Sequence, residues 1–400
     1  MQTRGPLVLV LGLVILLTAP RGIAQSPLQP PAPAGPATVR IGALLPLSGA
    51  SSWYGREMRQ GMELAIADVK LALEALDVDP LNPRQATEQF ARLAAMRVPA
   101  VLTASATPTL AIHPAATAQD ILLVHQGVIT SRFPSASRIL IHIRPSLASR
   151  VEALAAHARE RGFGRLALLT EGDDFGKAVR TVMSARWQKG GASLVHDESL
   201  SLETPDLRSR LRHLARLAPN AVLLGFRGVA LGDLARQLRE AGYTGPLLAL
   251  DDDPSAILAA GSALEAASLL TEAFVAEPGS AGERFAQAYR TKYKSDPSLH
   301  AAQAYDTVTI LAEGIRTARD AGRGTPSGTR LRDTLLARGR FPSLIGGQIA
   351  IRDDGVIERP FALFTVERDK PVFVRYLTPG GRAADGSRPR SAAASAAARR

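Results

Sequence analysis

The sequence contains no cysteine. Disulfides, thiolate metal sites and a cysteine nucleophile are thereby excluded, as is the lipid-modified cysteine that tethers many exported bacterial proteins. Metal-ligand spacing is missing too. The seven histidines (His113, His125, His142, His157, His196, His213 and His300) form no HxxxH or HxH pair. No GxGxxG follows a strand-like run, and neither the phosphate-binding GxxxxGKS/T nor a GxSxG nucleophile elbow occurs. Beyond the first residues, no stretch reaches the run of about 18 apolar residues that a membrane helix needs. The Asp251–Asp253 run could hold a hard cation, cap the next helix or bind a polar ligand. Without a catalytic set or a cofactor motif, the chain reads as a binder that needs no cofactor, and not as an enzyme.

What is present suits two globular lobes. Four hundred residues exceed what one compact core usually holds, and 46% hydrophobic with 21% charged residues is an ordinary globular composition. Residues 1–24 have the form of a secretory signal: Arg4, an apolar core from Leu7 to Leu17, and small residues at Gly22-Ile23-Ala24, with cleavage expected after Ala24. Residues 25–37 are a Pro-rich linker. The net charge of +11 is concentrated at the ends: Arg4 and Arg21 lie in the leader. From Thr378 the tail carries Arg382, Arg388, Arg390, Arg399 and Arg400 against Asp385, and residues 378–400 are expected to be disordered. Elsewhere the arginines alternate with Glu and Asp on helices, which describes a solvated surface and not a nucleic-acid face.

The leading structural unit runs from Val39 to Val69. A nearly continuous apolar run to Leu47 predicts a strand covered on both faces. Pro46 and Gly49 end it, and Ser48, Ser51 and Ser52 gather beside Trp53 and Tyr54 before a helix expected from Arg56, with Met58, Met62, Ala65 and Val69 on one face. Asn82-Pro83 with Gln85 predicts a capped helix start. Short apolar strands are expected at Ala100–Leu102, Ile121–Val124 and Ile139–Ile143, with Thr107 capping the helix after the first of these. The pattern then restarts with a helix at Leu147–Arg161 and strands at Leu166–Leu169, Leu194–Val195, Val222–Leu224 and Leu247–Leu250. Helices are expected at Lys177–Lys189, from Thr204-Pro205 to Leu217, and up to Ala241. Two successive α/β series predict two doubly wound lobes with parallel sheets. The last third differs: long helices at Glu283–Lys294 and Leu299–Ala321, a shorter one at Leu331–Leu336, then strands at Gln348–Ile351, Phe361–Val366 and Val372–Tyr376 without intervening helices. That pattern suggests a chain returning to both lobes.

Several segments carry a family resemblance: IGALLPLSGASSWYGREMRQGMELAIADV at the front, DDFGKAVR from Asp173, AYDTVTILAEGI from Ala304, and IGGQIAIRDDGVIERPFALFTV from Ile345. Together, from Val39 to Tyr376, they resemble the leucine/isoleucine/valine-binding protein family, the type I periplasmic binding proteins of branched-chain amino-acid ABC transporters. The resemblance implies two Rossmann-like lobes joined by a three-crossover hinge. Lobe boundaries at 38–145 plus 278–356 and at 146–277 plus 357–377 follow, with crossovers near Arg144–Ser146, Glu277–Pro278 and Asp354–Pro360.

It also implies a monomeric periplasmic protein that closes its lobes on a small ligand and delivers it to a membrane permease. A ligand-sensing receptor component built on the same fold is the alternative. Mapped onto this chain, the turns Ala104–Thr107 and Gly127–Thr130 would hold the ligand's carboxylate and amine, with Ser105, Thr107, Gly127 and Ile129 as contacts. Asp251, or next Asp252, would meet the amine, while Trp53, Phe175 and Phe226 would wall the pocket, and His300 lies near a pocket position. Two residues depart from the family pattern. Ile129 cannot donate where Thr is common, and Arg227 could pair bidentately with a second carboxylate. These point to a small carboxylate-bearing ligand, amino acid or related organic acid, aromatic and dicarboxylic acids included.

Overall fold

The computed structural model describes residues 38–380 apart from 130–131, 135, 189–192, 204–206, 252 and 322–323. The leader, the linker, Thr130, Thr204-Pro205, Asp252 and the tail beyond Gly380 therefore lie outside the described residues. Strands and helices alternate through the first half: β1 (Val39–Leu45), α1 (Ser52–Asp68), β2 (Leu71–Asp77), α2 (Pro83–Ala95), β3 (Ala100–Thr103), α3 (Ala106–Ala118), β4 (Leu122–His125) and β5 (Leu140–His142). The second series is α4 (Leu147–Glu160), β6 (Arg165–Thr170), α5 (Asp174–Gln188), β7 (Ser193–Ser199), α6 (Leu207–Arg216), β8 (Ala221–Gly225), α7 (Gly228–Glu240), β9 (Leu247–Ala249), α8 (Pro254–Ala260) and β10 (Ser268–Thr271). Helices α9 (Ala281–Tyr293), α10 (Leu299–Asp320) and α11 (Gly328–Arg338) follow. The chain ends in β11 (Arg340–Ser343), β12 (Gly347–Ile351), β13 (Ile357–Glu358), β14 (Phe361–Glu367) and β15 (Lys370–Leu377).

Two sheets organise these elements. The first is parallel throughout, ordered β2-β1-β3-β4-β5. The second, ordered β15-β14-β10-β9-β8-β6-β7, is parallel from β10 to β7 and gains β14 and β15 antiparallel at its other edge. A small antiparallel sheet, β11-β12-β13, completes the fold. The chain passes between the main sheets three times: after β5, between β10 and α9, and from β13 into β14. The result is two doubly wound lobes on a three-segment hinge, the architecture that the sequence resemblance implies.

The central strands read as near-continuous apolar runs because helices cover both faces. In the first lobe Ile41, Ala43 and Leu45 pack against α1 and α10, while Leu44, Val101 and Leu123 face α2 and α3. Helices α1 and α10 meet at Gly61, where a Cβ would lie 2.0 Å from the carbonyl oxygen of Ala301, so only glycine permits that approach. The Asn82 cap is present, with its side chain accepting from the Gln85 N–H at 3.0 Å.

Two local expectations are corrected, and one strand is added. Leu71–Asp77, LALEALD, has helix-favouring composition, and no strand is expected there from the sequence pattern. It forms β2 because every residue pairs in register with β1, from Val39↔Leu71 to Leu45↔Asp77, and tertiary pairing overrides propensity. Helix α1 begins at Ser52 and not at Arg56, so Trp53 and Tyr54 lie in its first turn. The residue at the N-cap of α3 is Ser105; Thr107 lies inside the helix.

Three buried histidines give stability a pH signature. Burial, aided by the field of His142, pushes His125 down to about 3, and burial likewise brings His142 and His157 to about 4. The unfolded chain takes up protons near pH 6.5, where the folded chain does not. The stabilising difference is complete above pH 6.5 and is lost as pH falls toward 4, at up to about 1.4 kcal/mol per pH unit for each histidine. Buried Asp306, pushed up to about 6, runs the other way. With three groups against one, urea titrations should show the unfolding free energy falling steadily from pH 6.5 to 4.5. A flat or rising profile would contradict the buried neutral imidazoles.

Candidate functional site

The loops at the carboxyl ends of the first sheet's strands build one wall. Asp77, at the end of β2, shapes the first of them: its carboxylate accepts from Leu47 N–H at 2.7 Å, Ser48 N–H at 3.1 Å and the Ser48 hydroxyl at 2.5 Å. Burial opposes its charge, yet the Ser48 and Leu47 donors hold it below the ordinary carboxylate range. The stapled loop delivers Trp53 and Tyr54 on the first turn of α1.

These rings form a triangle with His300, which arrives from the start of α10. Centroid separations are 5.5 Å for Trp53–Tyr54 and 5.6 Å for both Trp53–His300 and Tyr54–His300. Ser298 caps α10, accepting from His300 N–H at 3.1 Å and donating to Glu57 at 2.5 Å. Burial, followed by the positive field of Arg144, lowers the His300 pKa, which favours neutral imidazole. The Tyr54 and Ser105 hydroxyls are 3.1 Å apart, so the Ser105 side chain serves this cluster and not the helix cap. The loops after β3 and β4 touch at Gly127, where a Cβ would meet the Ala104 carbonyl oxygen at 2.5 Å. Thr107 and Ile129 are half-buried beside them. Trp53 remains 54% exposed, although its neighbours are packed.

The second sheet supplies a different cluster. Asp173, just before α5, accepts from Gly176 N–H at 2.8 Å and forms an ion pair with Arg227. The Arg227 guanidinium also lies over the Phe175 ring, 4.7 Å from its centroid. Arg227 and Phe175 are thus brought together, but the arginine already has a carboxylate partner. Phe226 is corrected: at 1% exposure it belongs to the core under α7 and α8, because its position just past β8 turns it inward. Asp251 accepts from Gly228 N–H and, at 3.2 Å, from Asp253 N–H, while Asp253 caps α8 through Ser255 N–H at 2.8 Å. These aspartates hold two helix starts. Among the described residues, no group of three or more His, Asp or Glu side chains is placed to hold a metal ion.

An ion cluster lies where the three crossings meet. Arg144 follows β5, Glu272 follows β10, and Arg359 lies between β13 and β14. Arg144 Nε donates to both Glu272 oxygens at 3.1 and 3.2 Å, and Arg359 Nη2 donates to Glu272 Oε2 at 3.1 Å. Burial alone would raise the Glu272 carboxyl, but the Arg144, Arg359 and Arg150 guanidiniums hold it below its ordinary value. Arg359 also donates to Gln303 Oε1 at 3.1 Å, and Gln303 Nε2 donates to the Gln126 carbonyl at 3.0 Å, beside the Gly127 loop. The sequence reading did not single out Glu272, Arg359, Gln303 or Gln126 as functional. The available signal was a charged residue within the first and third expected crossovers, Arg144 and Arg359; Glu272 lies five positions before the second.

Residues 38–371 match the family model described as periplasmic binding protein. None of the curated proteins compared matches the chain. Among solved structures, a Rhodospirillum rubrum protein assigned to a branched-chain amino acid ABC transporter aligns at 21% identity and TM-score 0.72, over 84% of this chain and 100% of the other. LivJ of Streptococcus pneumoniae, in complex with isoleucine, aligns at 20% identity and TM-score 0.61, covering 86% and 100%. An R. palustris ABC-transporter solute-binding protein, in complex with benzoate, aligns at 17% identity and TM-score 0.57, covering 85% and 96%. At these identities the likeness shows a shared fold.

The ion cluster makes a direct prediction. Glu272→Gln would leave buried guanidiniums without their shared carboxylate and should destabilise the protein by about 3–5 kcal/mol. Chemical denaturation measures it; a loss below about 1 kcal/mol would show that solvent already screens the cluster.

Proposed function

Because the chain belongs to the periplasmic binding protein family, we propose that it captures a small carboxylate-bearing ligand between its lobes and presents it to an ABC-transporter permease. We take the lobes as 38–145 plus 278–356 and 146–277 plus 357–377. The observation that carries this reading is the first-lobe wall: an exposed indole on a rigid aromatic triangle, a hydroxyl at Ser105, and a glycine-only contact at Gly127. All of these sit at the carboxyl ends of parallel strands, where open α/β sheets bind ligands. Isoleucine and benzoate, the ligands of two similar structures, share a carboxylate beside an apolar body. Trp53 suits the apolar body, Ser105, Thr107 and the backbone near Gly127 suit polar groups, and Ile129 favours a body with no polar partner there. From the second lobe, Phe175 with Arg227 closes over the ligand. An amine, where the ligand has one, would meet Asp251, whose carboxylate lies beside the start of α7.

Closure follows from contacts made to both lobes at once, which favour the shut form. Micromolar affinity corresponds to about −8 kcal/mol, within reach of one buried aromatic contact and a few charged hydrogen bonds. The N-terminal leader expected from the sequence fits export to the periplasm.

Calorimetry with leucine, isoleucine, benzoate, 3,4-dihydroxybenzoate and glutarate should find at least one saturable ligand. Trp53→Ala should weaken its binding by about 10- to 100-fold, the equivalent of losing one buried aromatic contact. Saturable binding only by neutral sugars or amides would sink the carboxylate reading.

A further inference from the structure

We infer that His125 is a positioning residue: its imidazole, buried beneath the loop after β4, holds the Val128 carbonyl and so sets which way the Val128–Ile129 peptide faces. That this serves a ligand rests on the function proposed above; that it shapes the loop does not.

His125 ends β4 at 0% exposure, and its carbonyl accepts from Ile143 N–H at 2.8 Å. Its ring packs against Phe133 and His142, with centroids 4.7 and 5.5 Å away. A Cβ at Gly127 would meet the ring at 2.8 Å, so glycine is needed there for the imidazole as well as for the Ala104 carbonyl. Each ring nitrogen has its own partner. Nε2 lies 3.3 Å from the Val128 carbonyl oxygen. Nδ1 lies 3.0 Å from the Thr109 hydroxyl and 3.4 Å from that of Thr103.

These partners fix the tautomer. Burial keeps the imidazole neutral, so it carries one N–H. A carbonyl oxygen only accepts, which places the proton on Nε2; Nδ1 is bare and accepts from a hydroxyl. The Thr109 hydroxyl is also 2.7 Å from the Ser105 carbonyl, so the same ring is tied to the loop after β3.

The consequence lies at the next atom. The Val128–Ile129 peptide is trans, so its N–H points opposite to its C=O. With the carbonyl drawn down onto His125, the Ile129 N–H is turned away from the core, beside the exposed Val128 side chain. Among the described residues that N–H has no partner. An outward backbone donor complements a carboxylate, whereas a flipped peptide would present its carbonyl oxygen and repel one. His125 thereby selects the sign of the charge that this loop accepts.

Two-bond proton–nitrogen NMR of the full chain carrying isotopically labelled histidine tests the tautomer, the His125 signal being the one that His125→Gln removes. Nε2 should carry the proton; a protonated Nδ1 would overturn the inference. Two substitutions then separate the donor from the packing. Glutamine brings an amide N–H to the Nε2 position, and asparagine reaches only the Nδ1 position. Without ligand, hydrogen exchange of the loop amides from Gln126 to Ile129 should stay within about threefold of wild type in His125→Gln. In His125→Asn it should be about fivefold faster or more, as expected for one lost hydrogen bond, with the amides of α6 unchanged in both. Of isoleucine and benzoate, whichever binds the wild type in calorimetry should bind His125→Gln within about threefold and His125→Asn about tenfold more weakly. If exchange separates the variants while neither acid binds the wild type, the loop-setting role stands and the carboxylate reading fails. Equal loop exchange in the two variants, or equal affinity, would overturn the positioning role and leave His125 as core packing.

Discussion

Three segments of chain run between the lobes, and each contributes one charged group to the same buried cluster: Arg144, Glu272 and Arg359. Few arrangements constrain a two-lobed protein so economically. Removing a carboxylate and two guanidiniums from water is costly, and the cost is recovered only if all three stay in place. The crossings therefore cannot drift apart independently. The lobe closure proposed above would then be rotation about a pinned point, with φ/ψ changes taken up in the short segments on either side.

From that point, polar contacts lead into the first lobe's wall. Arg359 reaches Gln303 on α10, and Gln303 reaches the backbone of the β4 loop; one helical turn earlier, His300 packs against Trp53 and Tyr54. Helix α10 is itself locked against α1 by the backbone approach at Gly61. The aromatic wall, the glycine contact between loops and the hinge charges are thus one mechanical unit. The second lobe offers a softer surface, where Arg227 and Asp173 pair while half exposed and an exposed pair contributes little. That asymmetry suits a binder whose first lobe receives the ligand and whose second adapts to it.

Much of the architecture was legible in the sequence because it rests on local signals: apolar strands, a Pro-capped helix at Asn82, and α/β alternation that can only make parallel sheets. Strand β2 was not legible, since LALEALD becomes a strand only through its pairing with β1. Of the candidate site, Trp53, Ser105, Gly127 and His300 stand out in the sequence by loop position and resemblance, and the structure places them on neighbouring loops and helix starts of the first lobe. Phe226 was misplaced because an aromatic just past a strand can point either way, and only packing decides. Arg227 and Asp251 have partners, Asp173 and the Gly228 N–H, that no spacing rule predicts. The hinge cluster joins residues up to 215 positions apart, Arg144 to Arg359, through Glu272, and such pairing is written only in three dimensions.

The proposed function requires the lobes to close about this pinned hinge when a ligand enters. The cysteine-free chain allows a clean measurement: spin labels on cysteines introduced at exposed Leu81 in the first lobe and exposed Leu258 in the second. Pulsed electron–electron resonance should show the distance between them shortening and its distribution narrowing on saturation with the carboxylate that calorimetry identifies. An unchanged distribution at saturation would contradict hinged closure.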